Sequence, residues 1–65
     1  MSQIHINTLI AERKVHLANV EMLKARAPDL EPDAAARAGH TIANLKHQIR
    51  AIEAQLSHYA GRAAA

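Results

Sequence analysis

The hydrophobic positions of the second half of the chain follow one rule without exception. Ala35, Ala38, Ile42, Leu45, Ile49, Ile52, Leu56 and Tyr59 are spaced 3-4-3-4-3-4-3, the seam of a coiled-coil-like helix in which every third and fourth residue faces one neighbour. Gly39 falls inside the pattern without shifting its phase. A continuous helix over about 33–60 is therefore expected, at a cost of about 1 kcal/mol for the glycine. Polar residues with long side chains, Lys46, Gln48, Glu53 and Gln55, flank the seam.

The first half is apolar on two sides. Ile6, Leu9, Ile10, Leu17, Val20, Leu23 and Ala27 gather on one side of a helix at about 100° per residue, and Arg13 and His16 interrupt them midway. Ile4, Thr8, Ala11, Val15, Ala18, Met22 and Ala25 make a second stripe on the opposite side. A helix apolar on two sides is typically placed between two neighbours, although single apolar residues on a surface are common. Its start is ambiguous, because Gln3–Asn7 alternates β-branched and polar residues. That segment fits an extended entry, with Asn7 or Thr8 as N-cap and a helix over about 8–27.

Between the halves lies Ala25–Gly39, with two prolines and three acids. Pro28 cannot continue a helical ladder and disfavours helical geometry at Ala27, so the first helix stops near Arg26. Pro32 suits a first helical turn, with Asp33 either beside the orphan N–H groups there or itself the N-cap. Leu30 is expected to fold over the end of the seam. A bend at 28–32 between two long helices makes them antiparallel neighbours. The expected fold is all-α: one domain, an antiparallel two-helix hairpin, with residues 61–65 frayed.

The hairpin seam is then Leu9, Val20, Leu23, Ile42, Leu45, Ile49, Ile52 and Leu56. Arg13 and His16 are the polar groups within it. Either they are paired and set register or oligomeric state, or they snorkel to the edge of a thin layer.

Size sharpens the picture. Sixty-five residues with no Cys and a single aromatic residue, Tyr59, leave little core, and disulfides cannot reinforce it. At this length apolar burial and conformational entropy nearly cancel, so self-association is expected, as a homodimer packed into a four-helix bundle. The stripe of Ile4, Val15 and Met22 is the expected face for a second copy or a partner protein. The longest run without Asp, Glu, Lys or Arg is residues 1–11, too short for a membrane span. No secretory signal is visible either, so a cytoplasmic location is expected.

Charge adds an asymmetry. The net charge is +2, yet Asp29, Glu31 and Asp33 place half of the six acids in the bend. The arms therefore carry an excess of bases, which either steers an anionic partner or is ordinary solvated surface charge.

The chemistry-bearing residues are sparse. His5, His16, His40, His47 and His58 are seven or more residues apart wherever they share a helix. That excludes the i, i+3 or i+4 pairs from which one helix chelates a metal. No thiol, phosphate-binding loop, serine elbow or zinc-protease motif is present. Neither enzyme activity nor a cofactor is expected.

What remains is a small interaction module acting through a partner protein or its own copies, as a regulator, inhibitor or chaperone-like subunit. In size and shape it is similar to helical export chaperones of type III secretion and to compact inhibitors made by phages and mobile elements. The alternative is nucleic-acid binding through Arg37, Lys46 and Arg50. In shape the expected dimer resembles plasmid regulators of the Rop type, hairpins that dimerise into four-helix bundles and bind paired RNA loops. That likeness is architectural and carries no shared motif. Arg37, Lys46, Arg50 and Arg62 do not form one stripe, and aromatic platforms for stacking bases are lacking.

Overall fold

The computed structural model describes the backbone of residues 3–64 and the side chains of residues 3–59. It is all-α: α1 (Gln3–Arg26), a short 3₁₀ turn (Ala27–Asp29) and α2 (Pro32–Ala64). No strand occurs among the described residues. The molecule is a rod of 50 × 15 × 13 Å, close to the length of α2 alone, since 33 residues rise about 50 Å.

The break between the helices follows from the prolines. Pro28 sits in the 3₁₀ turn, where the Leu30 N–H donates to the Ala27 carbonyl at 3.2 Å. Leu30 is extended, with φ −89° and ψ 152°. The Glu31 carbonyl then accepts the first α2 bond, from the Ala35 N–H at 2.8 Å. Glu31 is thus the N-cap and Pro32 the first helical residue, where its missing N–H costs nothing. Asp33 lies in the first turn of α2, and Lys24 and Arg26 in the last turn of α1. Each charge complements the helix dipole it meets.

Four local expectations need correction. Gln3–Asn7 is helical rather than extended: the Gln3 amide donates to Asn7 Oδ1 at 3.0 Å, and the Thr8 hydroxyl donates back to the Ile4 carbonyl at 2.9 Å. Contacts with the far end of α2 accompany the extra turn. Ile6 is half-buried, and the His5 ring meets Tyr59 edge-on at 5.8 Å. At the other end α2 runs through Gly61 to Ala64, so no break in the helix marks the expected frayed tail. Leu30 stays 38% exposed instead of closing the seam. Ile10 and Leu17, expected on the same side of α1 as Leu9 and Val20, are 50% and 37% exposed.

The last correction shows how the helices meet. Leu9, Val20, Ala38, Ile49 and Ile52 are buried, with Ile6, Leu23, Ala27, Ala35, Ile42, Leu45, Leu56 and Tyr59 half-buried around them. On α1 the inward positions are 6, 9, 13, 16, 20, 23 and 27, the same 3-4 spacing as on α2. Arg13 and His16 are half-buried and occupy two positions of this seam. Both helices obey one heptad, and residues early in α1 meet residues late in α2.

Candidate interaction surfaces

The two helices differ in where they keep their large apolar residues. On α2, Ile42, Leu45, Ile49, Ile52, Leu56 and Tyr59 all lie in the seam. On α1, Ile4, Ile10, Val15, Leu17 and Met22 lie outside it, and all five are exposed. Two opposed apolar sides cancel vectorially, so α1 has almost no net amphipathicity whereas α2 has a clear one.

Three of those five make a line. Ile4 is 77% exposed, Val15 57% and Met22 45%, and exposed Thr8, Ala11, Ala18 and Ala25 complete the 4-3 spacing. This outer stripe faces directly away from α2. The small residues between the anchors keep it flat enough for another helix to approach.

Ile10 and Leu17 occupy a different position, at one edge of the seam. There the structure has a groove between the helices of about 310 Å³, lined by Leu17, Val20, Glu21 and Lys24 of α1 and by Lys46, Ile49, Arg50 and Glu53 of α2. Val20 and Ile49 are its buried floor, and the charged residues are its rims.

Arg13 emerges from the seam onto this same edge. Its Nη2 and Nε donate to Glu53 Oε2 at 2.9 and 3.2 Å, across forty residues of sequence. The partners are 40% and 48% exposed. An exposed pair of this kind contributes about 0.2–1 kcal/mol. Arg13 thus holds an inward heptad position while its guanidinium reaches an exposed carboxylate at the edge of the seam. His16 behaves differently: its Nδ1 is buried and has no hydrogen-bond partner among the described residues.

The nucleic-acid candidates separate. Lys46 and Arg50 share the α2 rim of the groove. Arg37 lies about 13 Å further along α2 and on the other side of that helix from Lys46. His40 and His47 are exposed on the outside of α2, and His58 meets Tyr59 edge-on at 5.9 Å. Among the described residues no group of three or more His, Asp or Glu is close enough to hold a metal ion. No helix is long and apolar enough to cross a membrane.

Sequence reasoning found the outer stripe and missed the groove. The signal lay in the heptad of α2, which requires an equal period on the helix packed against it. No family model, curated protein or solved structure matches the chain.

Proposed function

We propose that this chain is a non-enzymatic interaction module: an antiparallel two-helix hairpin that acts by laying the outer stripe of α1 against another protein. The observation that carries this reading is the alignment of Ile4, Val15 and Met22, all exposed, on the helix face opposite α2. Scattered surface apolars have no consequence, but these anchors stand about three and two turns apart on one helix face, a linear set of the kind read by helix-in-groove recognition. The same face brings two hairpins together as a four-helix bundle with α1 more central than α2. A chain with so small a core gains stability from that burial.

The test is capture of partners from the native host at low and high salt, with sedimentation of the isolated chain. Val15→Asp is expected to keep its helicity, to lose a protein partner that survives high salt, and to sediment as a smaller species. Ile49→Asp is expected to lose helicity altogether, because it puts a charge at a seam position only 7% exposed. Retention of the same partner by Val15→Asp would overturn the proposal. So would recovery of RNA that elutes with salt and is lost on mutating Arg37 and Arg50, since phosphate neutralisation makes affinity fall steeply with salt.

A further inference from the structure

The lateral groove is a separate surface from the outer stripe, and its charges are unevenly committed. Glu53 is held by Arg13 at 2.9 Å, and Glu21 lies 3.8 Å from Lys24. Lys46 and Arg50, one turn apart on the α2 rim, have no ion pair or hydrogen bond among the described residues. The groove therefore offers an apolar floor of Val20 and Ile49, an apolar edge of Leu17, and two uncommitted cations. Ile10, two turns before Leu17 at the same heptad position, carries the apolar edge further along α1.

We propose that this groove is a second docking site, and that its occupant is an acidic amphipathic helix of a partner protein. The shape fits a helix laid lengthwise: Ile10 to Lys24 spans about 21 Å, some four turns. Such a helix would place apolar residues one turn apart on Leu17, Val20 and Ile49, and carboxylates along its flank against Lys46 and Arg50. Charge argues against a second copy here. α1 carries Arg13, Lys14, Lys24 and Arg26 against Glu12 and Glu21, and α2 carries Arg37, Lys46, Arg50 and Arg62 against Asp33 and Glu53. Either helix would therefore bring an excess of bases to a rim that already has two free ones. A nucleic acid fits no better, because the apolar floor gives phosphates nothing to bind and Glu21 and Glu53 flank the cations.

The experiment uses the whole chain and two labelled synthetic helices of about 18 residues, alike in their leucines. One carries glutamates on its flanks and the other lysines, and binding is followed by fluorescence anisotropy. The acidic probe is expected to bind at least about tenfold more tightly than the basic one, a difference of ~1.4 kcal/mol. Lys46→Glu combined with Arg50→Glu should invert that order. Leu17→Asp should abolish binding, with Leu17→Ala weakening it where the aspartate costs helicity. Val15→Asp should bind the acidic probe as the wild type does, which separates this site from the outer stripe. Equal affinity for both probes, or indifference to the Leu17 and Lys46/Arg50 variants, would overturn the proposal. A drop in the sedimentation of Leu17→Asp without probe would assign the groove to a second copy. A labelled RNA duplex that binds through Lys46 and Arg50 would assign it to nucleic acid.

Discussion

Replacing His16 by leucine measures what a polar side chain costs in the seam between α1 and α2. His16 shares its heptad phase with Leu9 and Leu23, and its Nδ1 is buried without a hydrogen-bond partner among the described residues. A buried polar atom left unsatisfied costs about 1–3 kcal/mol. The residue as a whole is half-buried, which places the expected gain near the lower end, at about 1 kcal/mol. Leucine removes the orphan nitrogen and returns apolar contact at an inward position. In a domain this small, 1 kcal/mol raises Tm by about 4–8 °C. The assay is thermal and urea unfolding followed by far-ultraviolet circular dichroism, repeated across a range of protein concentrations. The expected result is a higher Tm and urea midpoint with unchanged helicity and an unchanged urea m-value. A Tm that stays level or falls at every concentration would refute the reasoning, because it would mean that the imidazole is satisfied by a group outside the single chain. Loss of a defined oligomer in the same variant would reassign His16 as a determinant of assembly, the role polar groups take at such positions in coiled coils.

Two further perturbations probe the same rod. A Cβ at Gly39 would meet nothing within 4 Å, and Gly39 lies within α2, so Gly39→Ala should stabilise by about 0.5–1 kcal/mol, read as a higher urea midpoint; destabilisation would mean that close packing against another chain needs the glycine. A double-mutant cycle of Arg13→Ala and Glu53→Ala should give a coupling of about 0.2–1 kcal/mol that shrinks at high salt, and a coupling insensitive to salt would show the pair to be shielded in an assembly.

Much of the architecture was legible because α2 states its period without ambiguity. All its large apolar residues fall on the seam, so phase, face and continuity through Gly39 could be read directly. The bend was legible for a different reason, since proline geometry is local and needs no tertiary information. α1 was read less well, and Arg13 and His16 are why. With two polar residues at inward positions, a search for apolar residues near 100° per residue widened the face until it took in Ile10 and Leu17. Applying the 3.5-residue period of α2 to α1 recovers 6, 9, 13, 16, 20, 23 and 27 and leaves Ile10 and Leu17 at the edge. The extra turn at Gln3–Asn7 was hidden for a related reason: local propensity pointed to an extended start, while the His5 ring meets Tyr59, fifty-four positions away.

The inequality of the two helices follows from that corrected register. Once the seam of α1 is assigned, its remaining large apolar residues divide between the outer stripe, Ile4, Val15 and Met22, and the groove edge, Ile10 and Leu17. Its charges gather mainly on the two remaining flanks, with Glu12 and Arg26 on one and Lys14 and Glu21 on the other. A helix so arranged has the pattern of one packed among several neighbours, yet within the single chain α2 covers one of its sides. α2 has the opposite character, with every large apolar residue in the seam and alanine and histidine on its outer face. On the proposed reading α1 carries the apolar anchors of both surfaces and α2 adds the two cations of the groove rim. Substitutions on the outer face of α2, such as His40 or His47, should therefore leave binding untouched, whereas Val15→Asp should remove docking on the outer stripe and Leu17→Asp docking in the groove.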